Sequence, residues 1–477
     1  MAPETTTRSG REAWLALGLI ASGLCLLQYY VQYTKVSTEG VAMERTESIA
    51  ALPVPLSRPD RAELPRRVDV VVVGGGLTGL FTALRLRETG RRVVVLEACR
   101  AGWAQSSRSL GLIREQGREA IEAAAMRRAN RSWQTLAGAL GPDLGWIRGG
   151  HVSVARDDAA MQRVRDWGEV AREHDVRFEV LTREALRERM PWLSVDVVGA
   201  GYTPDDGHVD PSRATASLLM LCRRAGVEVF EGAEVQGIDV AAGRVTGVSL
   251  PGAEIRASDI VVAAGAWSSR LLRTCGVHLP IHVGRGTVGL TVPAPPITRA
   301  SVWDVGGVGF RQSADGRIVF GLGGYVDVDV HWEDVAEAWK LLPTLVKSRG
   351  QMSVRIGREL VRDVGGLLAR RELPSLPFET PRVNGRQVTE GSRRLAELVP
   401  ELEGVDCNLS WGGVIDATPD FLPIVGGASI DGLALIVGTS GHGLGLAPAL
   451  GDGVARLIDT GSSPAYLDAF ASSRFDR

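Results

Sequence analysis

An α/β fold carrying a parallel sheet is predicted for the body of this 477-residue chain, and three observations predict it. The run Val68 to Val73 is apolar but for Asp69, as in a strand buried on both faces. It leads into a glycine-rich turn, a helical stretch and a second strand, Arg92 to Leu96, all within about 30 residues. The length exceeds what one core holds, so a further domain is expected. The predicted architecture is a Rossmann-type dinucleotide-binding domain (α/β), an antiparallel-sheet second domain (α+β), and one N-terminal membrane-anchor helix before both.

The anchor is expected within residues 1–35. The stretch AWLALGLIASGLCLLQYYVQY, residues 13–33, is the longest apolar run and ends in three tyrosines. It matches a single span of about 20 residues with aromatic residues at the interface. No A-x-A-like cleavage site follows, which favours an uncleaved anchor over a signal peptide. Residues 36–66, polar and carrying Pro53, Pro55, Pro59 and Pro65, read as a tether. Arg8 and Arg11 before the span are balanced by Lys35 and Arg45 after it, so charge leaves the topology open.

With 54 basic and 56 acidic residues the chain shows no nucleic-acid footprint. Its cysteines, Cys25, Cys99, Cys222, Cys275 and Cys407, form no C-x-x-C pair, no disulfide framework and no zinc spacing.

Gly74, Gly76 and Gly79 make G-x-G-x-x-G at the strand-to-helix turn, with Leu77 and Thr78 opening the helix. The first glycine permits the tight turn, the second lets backbone approach a pyrophosphate, and the third lets helix pack on strand. The helix is expected to reach about Glu88, with Gly90 ending it. Glu97, followed by Ala98, then sits at the end of the second strand, placed for ribose hydroxyls. An acid there disfavours a 2′-phosphate and leaves FAD and NAD. Asp210 and Pro211 are a good helix start, the helix running to about Arg224 with Gly226 after it. A β-rich stretch from Val227 to Leu250 follows. Near the C-terminus a helix is expected from about Ala447, its positive end aimed at the cofactor.

Further segments carry a family resemblance: AGWAQSSRSLG (101–111), DDGHVDPSRATASLLMLCRRAGVEVFEGAEV (205–235), DIVVAAGAWSSRL (259–271), WGGVIDATPDFLPIVGG and GTSGHGLGLAPALGDGVARLI. Together they resemble the FAD-dependent amine and amino-acid oxidoreductases, the superfamily of D-amino-acid, glycine and sarcosine oxidases, over about 67–470. The resemblance implies non-covalent FAD, because no cysteine falls near Gly413, where one branch attaches its flavin. It implies that Ser106, Ser107, Arg108 and Gly111 pass the flavin ring, with Ser109 where many relatives have asparagine. Val235 matches a backbone contact to adenine, and Gly265, Ala266 and Trp267 a second contact to the dinucleotide. Gly441, His442, Gly443 and Leu444 match the turn at the flavin's pyrimidine edge. The implied FAD-binding domain is 67–112, 205–280 and 410–477; the implied substrate domain is 113–204 and 281–409. Within the latter, VGFRQSADGRIVFGLGGY (308–325) alternates like an antiparallel hairpin.

Relatives that oxidise amino acids hold the substrate carboxylate with an arginine in the segment matching WGGVIDATPD. Here Ile415 and Asp416 stand at that place, and isoleucine cannot supply a guanidinium fork. The WGG opening and Gly102-Trp103 look closer to relatives that oxidise polyamines or their γ-glutamyl derivatives. Asp416 therefore has two readings: it recognises a cationic amine, or it is a strand-end acid bonded to backbone amides. Arg114 matches a carboxylate-binding arginine of the sarcosine-oxidase branch, whose usual lysine partner corresponds to Gly445. Arg311 is a second arginine able to restore an acid site.

The reaction implied is oxidation of a C–N bond, with hydride passing to flavin N5 and the imine product hydrolysing. Relatives that react with O2 place a lysine in the strand matching RIVFGL (317–322), which has none; a quinone or other membrane carrier is therefore the alternative acceptor. Two other readings stand beside an amine or amino-acid oxidoreductase: a quinone-linked amino-acid or hydroxy-acid dehydrogenase, and an FAD-binding assembly factor for a membrane respiratory complex. A single-pass membrane protein with its catalytic body on the cytoplasmic side is expected, because FAD loads there and no twin-arginine export signal is present.

Overall fold

The computed structural model describes residues 64–475, apart from 195, 305–306, 333–351, 356–359, 362 and 366–379. The expected anchor at 13–33 and nearly all of the tether at 36–66 lie outside the described residues. Among the described residues no helix is long and apolar enough to cross a membrane. The chain divides into two compact units, Met1–Glu44 with Gly324–Pro374, and Arg45–Gly323 with Ser375–Arg477. In the first, the strands Val326–Asp329 and Met352–Arg355 run parallel, and His331 Nδ1 lies 3.0 Å from Asp363 Oδ2.

Among the described residues the larger unit holds two large sheets and a two-stranded one, Leu112–Ile113 antiparallel to Gly207–His208. The first has the order Ile424–Gly427, Leu433–Val437, Ala253–Val262, Arg67–Val73, Val93–Glu97, Glu228–Glu231. Its last five strands run parallel, and a hairpin, Gly237–Ala241 with Arg244–Leu250, joins Ala253–Val262 antiparallel. The apolar run of the first strand is explained by its two faces. Val70 and Val72 pack with Leu80, Phe81, Leu218 and Leu450 of the helices, whereas Val71 and Val73 pack with Ile238, Val248 and Ile255 of the hairpin side. From Val70 to Val73 neither face meets water and the run is unbroken valine, whereas Asp69, before it, is exposed and accepts from Arg92 N at 2.7 Å.

The helix Leu77–Glu88 connects the first two parallel strands, as expected. The helix Pro211–Arg224 begins where the sequence places it: the Asp210 carboxylate accepts from the N–H groups of Ser212 (2.9 Å) and Arg213 (3.0 Å). The C-terminal helix, Gly443–Thr460, starts four residues before the expected Ala447. Its first-turn glycines are packing residues: a Cβ at Gly443 would lie 2.7 Å from Thr439 Oγ1, and one at Gly445 3.2 Å from the Met126 methyl.

The second sheet runs Cys407–Ala417, His282–Pro293, Arg317–Leu322, Val308–Gln312, Ser301–Asp304, His151–Ala155, Gly199–Thr203, Glu179–Thr182 within this unit. All neighbours are antiparallel except Ser301–Asp304 beside His151–Ala155. The hairpin expected in 308–325 is its Val308–Gln312 and Arg317–Leu322 pair. Cys407–Ala417 ladders along His282–Pro293 from Ala417 to Cys407, so this strand runs through the boundary expected between 409 and 410.

Candidate active site

The glycine turn forms a cradle at the carboxyl ends of the first sheet's strands, where open parallel sheets bind ligands. Gly74 has φ +110°, and a Cβ on it would lie 2.4 Å from the Ala263 carbonyl oxygen. A Cβ on Gly79 would lie 2.0 Å from the Gly74 carbonyl oxygen, so the helix sits against the turn only because that side chain is absent. Glu97 fixes the turn from below: its carboxylate accepts from Gly75 N (2.7 Å) and Cys99 N (2.8 Å). Burial pushes its pKa up, and those two N–H groups oppose the shift. Ala98, half-buried, carries the chain from Glu97 towards the 101–111 loop.

That loop returns to the helix start. Ser106 Oγ accepts from Leu77 N at 3.0 Å, and Thr78 lies one residue further into the same helical turn. Ser107 N bonds the Gly102 carbonyl. Arg108 donates to the carbonyls of Trp103 (3.0 Å) and Gly412 (3.3 Å), and Trp411 Nε1 donates to the Arg108 carbonyl at 2.9 Å. The WGG opening is thereby explained: the strand passes between this loop and residues 381–382, and a Cβ on Gly412 would lie 2.6 Å from the Arg382 carbonyl oxygen.

Asp416 lies at the end of that strand, 1% exposed. Its carboxylate accepts from Gln105 Nε2 (2.9 Å), Gly438 N (2.8 Å), Thr439 N (3.3 Å) and Thr439 Oγ1 (3.3 Å). Gln105 also accepts from Ala266 N at 3.2 Å, and Trp267 N bonds the Ala264 carbonyl. Asp416 thus ties the 101–111 loop and the Gly265–Trp267 turn to the Gly438–Gly443 turn. Burial raises its pKa, with Gln105 and the two amides opposing. Of the two readings open in the sequence, this geometry is the strand-end acid bonded to backbone amides. Val235 is a half-buried residue packed on the hairpin-side core beyond the Glu228–Glu231 strand.

At the opposite end of the cradle, Gly441, His442, Gly443 and Leu444 form the turn into the C-terminal helix, with His442 at the N-cap. His442 Nδ1 is 2.7 Å from Glu122 Oε1. Burial and the nearby Arg118 lower the His442 pKa to about 4. Glu122, although burial works against it, is held below its usual value by the His442 hydrogen bond and by Arg118. At neutral pH the carboxylate is charged and the ring neutral, so Nδ1 carries the shared proton and Nε2 is a free acceptor.

Arg114 is half-buried beside this pair. Its Nη1 donates to the Gln116 carbonyl, its guanidinium carbon stands 5.3 Å from the Trp303 ring centre, and burial with Arg118 repulsion lowers its pKa to about 9. Arg311 is elsewhere engaged. Its Nε donates to the Leu110 carbonyl and its Nη1 to Ser313 Oγ at 2.8 Å, which props the loop at Leu110–Gly111.

Gln105, Arg118 and Glu122 are absent from the sequence expectations. Glu122 carried a readable signal: it shares the buried face of helix Ala120–Leu140 with Met126, Ala129, Asn130 and Trp133, a charged residue in an apolar stripe. Gln105 and Arg118 sit in non-periodic loops and carried none.

The residues fit FAD. Beyond the glycine cradle, Ser109 Oγ on the loop expected at the flavin ring is buried with no hydrogen-bond partner, and the space where a Gly441 Cβ would stand is open. Among the described residues Cys99, Cys222, Cys275 and Cys407 form no disulfide.

Comparison with known proteins agrees. Residues 69–457 match the DAO family, described as FAD dependent oxidoreductase. The chain is 26% identical over 420 residues to sarcosine oxidase subunit beta of Rhizobium meliloti, covering 86% of this chain and 88% of that protein. It is 29% identical over 244 residues to 4-methylaminobutanoate oxidase (formaldehyde-forming) of Paenarthrobacter nicotinovorans, covering 50% of this chain. The chain spans 30% of that protein and 55% of a bifunctional ThiO/ThiG protein of Nostoc, so it covers less than two thirds of these relatives. Among solved structures, an L-amino acid deaminase from Proteus myxofaciens in complex with anthranilate superposes with a TM-score of 0.80 at 25% identity, covering 87% of this chain and 95% of that one.

Proposed function

The chain belongs to the DAO family of FAD-dependent oxidoreductases, and on that basis we propose that it oxidises the C–N bond of an amino-acid-like substrate to an imine. One observation carries the substrate class: Asp416 is buried and fully bonded, so it offers nothing to an amine, while Arg114 presents a guanidinium beside the flavin-edge turn. An arginine there suits a carboxylate, which it can engage through paired N–H groups. The names of the sarcosine oxidase and L-amino acid deaminase relatives support the same class.

Bound FAD supplies the two-electron acceptor for the hydride leaving the carbon that bears nitrogen. The chain's own residues position the substrate. Arg114 orients the carboxylate, and His442, neutral with Nε2 free, offers a hydrogen-bond acceptor to the amine, which reacts in its neutral form. Glu122 keeps the histidine in that tautomer.

For the electron acceptor we favour a quinone or other membrane carrier over O2. The strand Arg317–Leu322 has no lysine, and Arg317 pairs with Asp315 at 3.4 Å in the hairpin turn, which engages the one cation that strand offers. A single-pass anchor at 13–33 with the catalytic body on the cytoplasmic face completes this reading; its support is the length and composition of that segment.

The test is anaerobic mixing of the yellow holoprotein with amino acids, simple monoamines and polyamines while flavin absorbance is followed. Bleaching by amino acids, reversed by a quinone faster than by air, is the expected outcome. Bleaching by polyamines alone would refute the substrate class, and no bleaching at all would leave the binding-only assembly role as the account.

A further inference from the structure

We infer that Arg118 is a specificity-determining residue: with Arg114 it forms a two-guanidinium anion pocket, and the carboxylate of the substrate is the partner it lacks. This rests on the amino-acid reading above and adds a residue that neither the sequence nor the comparisons assign.

Arg118 is 8% exposed, yet its Nε is buried with no hydrogen-bond partner. Among the described residues its guanidinium joins no ion pair. Its carbonyl, by contrast, is engaged, accepting from Trp167 Nε1 at 3.1 Å, so the backbone is fixed while the side chain is left unpaired. A buried guanidinium in that state is costly unless an anion joins it. Neighbouring acids do not close the gap. Glu122 attracts Arg118 from a distance, but its Oε1 bonds His442 and its Oε2, buried, has no hydrogen-bond partner, so it makes no bond to Arg118. Asp206 is fully buried, its pKa raised well above its ordinary value by burial and by Glu115, and it accepts from Glu115 N and Asn130 instead.

The surroundings place Arg118 in the active site. Its Nη2 lies 3.8 Å from where a Cβ on Gly445 would stand, in the first turn of the helix that His442 caps. It lowers the pKa of Arg114, of His442 and of the buried His151 by repulsion, so these groups share one electrostatic field. Glycine at 445 keeps the space open for the arginine. Two guanidinium groups at one locus bind two carboxylate oxygens, whereas a cationic amine would be repelled from them.

The experiment uses the FAD-loaded full chain and unreactive carboxylates: acetate, benzoate and anthranilate, with benzamide as the uncharged counterpart. Binding is read from perturbation of the flavin spectrum and from thermal midpoints, so it is independent of turnover. Arg118→Gln is expected to weaken benzoate binding at least about 30-fold, Arg118→Lys to restore part of it, and neither to change benzamide. Without ligand, Arg118→Gln is expected to melt at or above the wild-type temperature, because it removes an unpaired buried charge. An unchanged benzoate affinity in both variants overturns the inference, as does a wild type that binds none of the three carboxylates. Loss of stability in Arg118→Gln with benzoate affinity intact in Arg118→Lys assigns a structural role and also overturns it. So does an unchanged benzoate affinity with a lowered flavin potential, which would make Arg118 the cofactor's partner. Whether amino acids bleach the flavin is read separately, so the reaction class can fail or stand without deciding this point.

Discussion

His442 and Glu122 face each other at 2.7 Å across the start of two helices, Gly443–Thr460 and Ala120–Leu140. The carboxylate can only accept, so the ring's second nitrogen is left as a hydrogen-bond acceptor within the active site. Replacing Glu122 by glutamine keeps an acceptor but lets the ring adopt the other tautomer. The expected result is a fall in kcat/KM of about 10- to 100-fold, with the inhibition constants of unreactive carboxylates nearly unchanged. A steady-state comparison with benzoate inhibition checks it.

The same pair sets a pH dependence of stability. His442 has a folded pKa of about 4, below the ordinary value of 6.5, so the unfolded chain binds more protons between those values. Stability is therefore lost as pH falls from about 6.5 towards about 4, and Glu122, whose folded pKa is also lowered, adds to the loss further down. Urea midpoints at pH 7, 6 and 5 should fall in the wild type, and His442→Asn should flatten that slope by close to one proton.

Asp416 is expected to behave as a structural acid. Asp416→Ala strands four donors and should cost about 2–4 kcal/mol of stability, while leaving the preference between amino acids and amines unaltered. Thermal melts and a substrate panel at a permissive temperature check both parts. A changed preference in Asp416→Asn, which preserves the shape, would return this residue to substrate recognition.

Gly79→Ala should purify nearly colourless. Its Cβ would lie 2.0 Å from the Gly74 carbonyl oxygen and push the helix from the turn that receives the pyrophosphate. The ratio of visible to ultraviolet absorbance after desalting measures the loss of FAD.

The cofactor half of this molecule was legible because its signals are local. Strand, glycine turn, helix, strand and acid follow one another from Val68 to Glu97, and the N-cap of Asp210 with Pro211 marked the next helix to the residue. The start of the C-terminal helix was misplaced because Gly443 and Gly445 look like loop residues, whereas they are small to admit Thr439 and Met126. The substrate side was far less legible. Asp416 and Arg311 are charged residues near the motif, and only their partners, Gln105 with the Gly438 amide and the Leu110 carbonyl, reveal that both are engaged in holding loops. Arg118 went unseen for the converse reason: its meaning is a missing partner, which no sequence pattern records.

In the proposed function a carboxylate, held by Arg114, selects the substrate. The most direct measurement is the anaerobic rate of flavin reduction by an amino acid and by the amine left when its carboxylate is removed, in wild type and in Arg114→Gln. Wild type is expected to prefer the amino acid, and Arg114→Gln to lower its rate constant per molar substrate by about 100-fold or more while barely changing the amine. Equal loss for both substrates, or a wild type that prefers the amine, would contradict it.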